Sequence, residues 1–287
     1  MTGYFVYNKQ LVTKKFLLLF DCFKEESHKL NIDLIFIDNF ETAKRFYNNC
    51  LDKNDFVIFW DKDIKLAKML EDAGHKLFNN SKSIELCDDK SKTYISLKNK
   101  NIKQPQTILS PLIFSGSIAS DNDFIEYSID KLKFPIVIKE CFGSFGIQVY
   151  LSKNKQELVK IIDDLGTIPF ILQEFIETSA GKDLRLEVIG DEVIATVMRV
   201  NKNDFRANIT NGGIAYNYNP SSKQIDMALT VSKYLNLDFA GVDILFGEND
   251  EPILCEVNSN AYPINVQNIT GVNIVRKILE YIIRKIK

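Results

Sequence analysis

Short apolar, β-rich runs at residues 4–7, 33–38 and 55–60 are separated by stretches whose apolar positions recur at helical spacing. That succession predicts a small βαβ-type unit over residues 1–88. From Asp88 the pattern changes to a polar helix at 88–99, an extended segment at 104–109 and a strand at 135–139. A strand near 147–151, a helix at 154–165 and strands at 183–189 and 192–199 follow, the last two joined at Gly190 and Asp191. After a glycine-bearing loop, 208–218, come a helix at 224–235, strands at 239–246 and 252–258, and a closing helix at 271–286. The Lys/Asn-rich stretch 98–103 reads as an exposed linker. The chain thus divides into two or three subdomains, α/β first and α+β after.

Charge and composition narrow the function classes. The 36 basic and 38 acidic residues nearly cancel, so the chain lacks the basic footprint of a dedicated nucleic-acid binder. Five scattered cysteines form no C-x-x-C pair and fit a reducing cytosol, and two histidines leave little for a zinc site or a His-based triad. No apolar run approaches the ~18–20 residues of a membrane span, and residues 1–10 lack the pattern of a secretory leader. The expectation is a soluble, cytoplasmic protein with neither membrane nor nucleic acid as partner.

The chemistry concentrates in two places. In the final hairpin, strand alternation turns Glu256 and Asn258 to one face, and the connecting turn brings Asp243 opposite them. Three oxygen donors without His or Cys suit magnesium, and a solvated polar face has the same pattern. Earlier, the strand ending in Lys139 runs into Gly143, Ser144, Phe145 and Gly146. Such a turn lets backbone N–H groups and a lysine approach phosphates, and it also describes an ordinary hairpin turn.

In order along the chain stand Asp89-Lys90, the strand into Lys139, the loop 143–146, Gln173-Glu174-Phe175-Ile176, Gly181-Lys182-Asp183-Leu184-Arg185, Asp204-Phe205-Arg206-Ala207-Asn208, Gly212-Gly213, Gly241-Val242-Asp243 and Glu256-Val257-Asn258. This series, over about residues 85–282, resembles the ATP-grasp superfamily, specifically its RimK/LysX-like carboxylate–amine ligases. The resemblance implies an α/β and α+β protein: a small pre-ATP-grasp α/β domain at 1–88, a central ATP-grasp subdomain with the phosphate-covering loop at 89–172, and a C-terminal subdomain with the metal site at 173–287. It implies ATP between the last two, with Lys90 and Lys139 near the phosphates and Gly143, Ser144 and Gly146 in the covering loop. Gln173, Glu174, Phe175 and Ile176 would border the adenine, with Asp183 or Lys182 towards the ribose. Asp243, Glu256 and Asn258 would hold two magnesium ions, manganese being a substitute, and Arg206 and Asn208 would lie by the transferred phosphoryl group.

The activity implied is an ADP-forming ligase that makes an amide through an acyl phosphate, adding an amino acid such as glutamate to a peptide, protein or metabolite. Its partners would be small carboxylate and amine substrates, and a homo-oligomer is compatible with it. A peptide-cyclising enzyme using the same intermediate, or a nucleotide-binding regulator without catalysis, are the other readings. Arg199, before the Asp204–Asn208 stretch, is a candidate for the substrate carboxylate or a surface salt-bridge residue. The chain departs from the family at Gln148, where relatives commonly repeat glycine, and at residues 258–263, which replace an Asn-x-x-Pro-Gly run. Cys141 and Cys255 read as inert thiols and Trp60 as core.

Overall fold

The computed structural model describes residues 1–144 and 146–287. Its opening elements are β1 (Thr2–Tyr7), α1 (Lys14–Lys29), β2 (Asp33–Asp38), α2 (Asn39–Tyr47), β3 (Phe56–Trp60), α3 (Ile64–Asp72) and β4 (Lys76–Phe78). The strands form one parallel sheet in the order β2-β1-β3-β4. Parallel strands need crossovers, which the helices provide, and a sheet covered on both faces buries β3 at every position instead of alternately. Asp38 and Asp63 start α2 and α3 by accepting from the Glu41 and Leu66 amides. The strand order reverses between β1 and β3, so a crevice opens at their carboxyl ends, where Asn8, Asp61 and Lys62 follow.

Next come α4 (Ser81–Asp88), α5 (Lys90–Leu97), β5 (Thr107–Leu109), α6 (Asn122–Leu132), β6 (Ile136–Glu140), β7 (Val149–Ser152), α7 (Lys155–Leu165) and β8 (Phe170–Glu174). Strands β5-β8-β6-β7 make an antiparallel sheet backed by α6 and α7 through Ile125, Leu158 and Ile162. The third sheet, β11-β10-β9-β12-β13, is antiparallel and built from β9 (Lys182–Ile189), β10 (Glu192–Val200), β11 (Ile214–Asn217), β12 (Phe239–Phe246) and β13 (Pro252–Asn258). Helix α8 (Ser222–Tyr234) precedes β12, and α9 (Ile264–Thr270) and α10 (Ile274–Ile286) end the chain.

Several boundaries differ from the sequence expectation for identifiable reasons. The polar helix expected at 88–99 is α5, which starts at Lys90 because the Asp89 carboxylate caps it by accepting from the Ser91 amide at 2.9 Å, and a separate helix, α4, ends just before it. The closing helix at 271–286 begins later, because Gly271 sits at φ 73° and ends α9, while Asn273 caps α10. Strand β11 lies inside the segment read as a loop, and β4, α6 and β8 had no place in that reading. Packing crosses the borders of the expected three units. Leu97 shares a core with Leu184, Val231 and Val242, α10 shares one with Phe5, Leu19 and Trp60, and β8 continues past residue 172.

Candidate active site

Two connected clefts lie between the second and third sheets. The first is lined by Lys139, Gln173, Glu174, Phe175, Ile176, Lys182 and Asp183, with Gly146, Arg206 and Asn208 across from them. The second shares Arg199, Asn208, Asp243 and Glu256 with the first and runs past Gly143 and Ser144 to Lys15, Trp60 and Lys62 of the N-terminal sheet. Asn258 and Tyr262 form part of its wall. Residues far apart in sequence therefore meet, and the N-terminal α/β unit adds side chains that no motif contained.

At one end of the first cleft, the ladder between β6 and β8 stops at Glu174, which leaves Phe175 and Ile176 beyond the sheet. Glu174 itself is partly committed: its Oε1 accepts from the Gln106 amide at 2.8 Å. Gln173 donates to Thr107 Oγ1 at 2.9 Å, and the Phe175 ring meets Phe205 edge-on. The side chains expected to read the base thus also tie β8 to β5.

Further along the same cleft, Lys139 is only 9% exposed, and its ammonium lies 3.8 Å from Cys255 Sγ. Among the described residues no carboxylate lies within ion-pair distance of it. Lys90, at the start of α5, reaches Glu256 at 3.4 Å and the Gly143 carbonyl at 3.4 Å. Gly146 has φ 71°, and a Cβ there would stand 2.4 Å from Asn208 Oδ1, so glycine is what lets the loop lie against Asn208. Phe145, part of the same motif, lies outside the described residues. Gln148 occupies the space that a repeated glycine would leave: its Oε1 accepts from the Ser144 amide at 3.2 Å.

Two expected roles change. Arg206 does not point an unopposed charge at the cleft: Asp204 pairs with it, and its Nη1 donates to the Gly146 carbonyl at 2.8 Å. It holds the loop by its backbone. Arg199 is not a surface residue, and of its guanidinium nitrogens only Nη1 is without a partner among the described residues. It is 7% exposed, and its Nε and Nη2 donate to Asp183 at 2.6 and 2.7 Å, with Nη2 also 3.1 Å from Asp243. Asp183 is thereby occupied as well, which leaves Lys182 as the member of that pair facing the first cleft with its charge unpaired among the described residues.

The reason is the alternation along β9. Asp183, Arg185 and Glu187 share one face while Leu184, Leu186 and Val188 pack into the core on the other. Arg185 stands opposite Asp243 of β12, and Asp183 opposite Arg199 of β10, so each pairs across the sheet with its register partner. Arg185 donates from Nη2 to Asp243 Oδ2 at 2.8 Å and from Nε to Oδ1. Burial works against the Asp243 charge, but the two guanidiniums outweigh it and hold the carboxyl below its usual range. Glu187 has weaker company, and burial pushes it up to about 7. Burial also raises Cys141, and Cys255 to about 11, so both are neutral thiols at ordinary pH, as expected of inert cysteines.

The donor set can still hold a hard cation. A carboxylate offers about four lone-pair directions, and three contacts from Arg185 and Arg199 leave Asp243 one, on Oδ1. Glu256 faces Asp243 in register, and Asn258 faces Gly241 two residues along, placing both at the same end of the hairpin. Among the described residues no three Asp, Glu, His or Cys side chains gather as a metal-binding group. An ion here would depend on two carboxylates, the Asn258 amide and phosphate oxygens.

A family model described as a RimK-like ATP-grasp domain matches residues 87–282. An uncharacterized protein of Mycoplasma pneumoniae is 32% identical over 243 residues, covering 83% of each chain. A Legionella pneumophila protein named probable alpha-L-glutamate ligase is 34% identical over 226 residues, covering 77% of this chain and 72% of its own. Among solved structures, the D-alanine–D-alanine ligase of Bacillus anthracis complexed with ATP superposes with a TM-score of 0.75 at 17% identity, over 100% of this chain and 97% of that one. Among the described residues no helix is long and apolar enough to cross a membrane.

Proposed function

This chain belongs to the RimK-like ATP-grasp family, a family of ATP-dependent ligases, and we propose that it forms an amide from a carboxylate and an amine with release of ADP and phosphate. The observation that carries the reading is the meeting of Lys139, Asp243 and Glu256 in one cleft, with Asn258 in the adjoining cleft and Lys90 at 3.4 Å from Glu256. A substrate carboxylate oxygen attacks the γ-phosphorus, and the bond to the ADP oxygen breaks. The amine nitrogen then attacks the acyl carbonyl, phosphate leaves with its bridging oxygen, and the nitrogen gives up its proton to solvent. Such transfer needs positioning and charge neutralisation more than a covalent protein nucleophile, in keeping with the neutral thiols of Cys141 and Cys255.

Lys139 is suited to the phosphate oxygens because no acid neutralises it among the described residues, and Lys90 joins it if Glu256 turns to a metal. Glu256, Asn258 and the remaining direction on Asp243 would hold magnesium, to which we assign two ions with manganese as a substitute; the metal supplies charge compensation at the phosphates. Asn208 lies at the junction of the two clefts, and Arg206 fixes the loop beside it. For the substrate we favour an amino acid such as glutamate joined to a peptide, protein or metabolite, as the name of the Legionella relative suggests, and a reducing cytosol as the setting.

The test is isotopic. With magnesium, ATP and a panel of amino acids and short peptides labelled with heavy oxygen in their carboxylates, label is expected in the released phosphate, with ADP as the nucleotide product. Label in AMP together with pyrophosphate would mean an acyl adenylate and overturn the mechanism.

A further inference from the structure

The covering loop has an unusual distribution of donors. Ser144 carries two, its backbone N–H and its hydroxyl. The N–H is engaged by Gln148 Oε1 at 3.2 Å. Gln148 packs so closely under the loop that a Cβ on Gly143 would meet its Oε1 at 2.8 Å. The hydroxyl oxygen accepts from Lys62 Nζ at 3.3 Å, so its own proton points elsewhere. Lys62 comes from the carboxyl end of β3, outside the segment that the family model covers.

Lys62 is held in place from several sides. Its ammonium pairs with Asp88, whose side chain is 12% exposed and which stands two residues before Lys90. Its backbone N–H donates to Asp61 Oδ1 at 2.7 Å, Asn8 donates to the same oxygen at 3.2 Å, and Asn260 donates to the Asp61 carbonyl at 3.0 Å. The crevice at the ends of β1 and β3 therefore presents one ammonium, on a braced backbone, to the loop and to the start of α5.

We propose that in this chain the loop meets a nucleotide phosphate oxygen through the Ser144 hydroxyl, not the Ser144 backbone N–H, and that Lys62 is the positioning residue that orients it. The proposal rests on the nucleotide reading above. A hydroxyl that accepts from an ammonium is a better donor to an anion, since hydrogen bonds in series polarise one another. Gln148 is the cause: by taking the N–H it leaves the O–H as the Ser144 donor for phosphate.

Calorimetry with adenosine and with magnesium AMP-PNP tests this. Lys62→Gln and Ser144→Ala should each weaken AMP-PNP about tenfold, leave adenosine unchanged, and combine to no more than the larger single loss. Lys62→Arg should restore most of the affinity. Adding Gln148→Gly to Ser144→Ala should recover binding, because it frees the backbone N–H. Additive losses for the two single changes, equal losses for adenosine, or no recovery on adding Gln148→Gly would overturn the proposal. A Lys62→Gln protein that melts lower yet binds both ligands normally would reduce Lys62 to an interface salt bridge, and a wild-type chain that binds neither ligand would overturn the nucleotide reading as well.

Discussion

Lys139 illustrates how much one side chain's surroundings decide. Most other cations of the site have an acid: Lys62 has Asp88, Lys90 has Glu256, Arg185 has Asp243 and Arg199 has Asp183. Lys139, 9% exposed, sits by the neutral Cys255 thiol. A desolvated ammonium without a counter-charge is costly, and an incoming phosphate relieves that cost. Lys139→Met, which keeps the aliphatic stem, should weaken ATP by roughly 10- to 100-fold, the value of a charge-assisted hydrogen bond, and leave adenosine within about twofold. Titration calorimetry with both ligands checks it, and equal losses would place Lys139 away from the phosphates.

Among elements, β9 is where sequence and site are most tightly linked. The alternation of Asp183, Arg185 and Glu187 with Leu184, Leu186 and Val188 puts three charges on the cleft side of a strand whose other side is core. Neighbouring strands bring Asp243 and Arg199 to the same face, leaving three acids to two arginines. Glu187 is the acid left over, with Arg185 Nη1 only at 4.0 Å, and burial holds its value at about 7. The folded protein thus keeps a proton that the unfolded chain loses near the ordinary glutamate value. Stability is greatest below that value and falls as pH rises through about 7. Glu187→Gln should remove this fall, leaving stability alike at pH 5 and raising it by up to about 3 kcal/mol at pH 9. Urea midpoints across that range measure it, and parallel pH profiles for the two proteins would refute it.

At the scale of the whole molecule, the acids that would hold a metal are already neutralised, Glu256 by a cation from another element and Asp243 from within its own sheet. Lys90 on α5 pairs with Glu256 on β13, and the two arginines with Asp243. Magnesium alone would have to displace Lys90 from Glu256 without giving it a new partner, and ATP alone would have to draw Lys90 from Glu256. Together they exchange partners, which is a coupling free energy between two sites. Magnesium should therefore strengthen AMP-PNP binding by about 10- to 100-fold and give no measurable heat by itself. Glu256→Gln should weaken that coupling and abolish turnover while the fold is kept, since the side chain is 26% exposed and in no buried ion network. Magnesium that binds the free protein as tightly as it binds the nucleotide complex would contradict the exchange.

Much of this was determined by the sequence itself. Period-two and helical spacing located β2, β9, β12 and β13 almost to the residue, because each presents a continuous apolar face whatever its neighbours are. The hairpin of Asp243, Glu256 and Asn258 was legible for the same reason: alternation and a short turn are local geometry. Short or interrupted elements such as β4, β11 and the break at Asp89 were not, since three or four residues or a single cap carry too little pattern. Only tertiary structure decided which side chains spend their charge on one another. Arg199 and Arg206 look alike as isolated arginines, and folding sends one into a buried pair with Asp183 and the other to the Gly146 carbonyl. Lys62 had no motif at all, and its place beside Ser144 arises from strand order in a separate sheet. A charge near in sequence can be read from spacing, but a charge delivered across a crevice exists only once the sheets have packed.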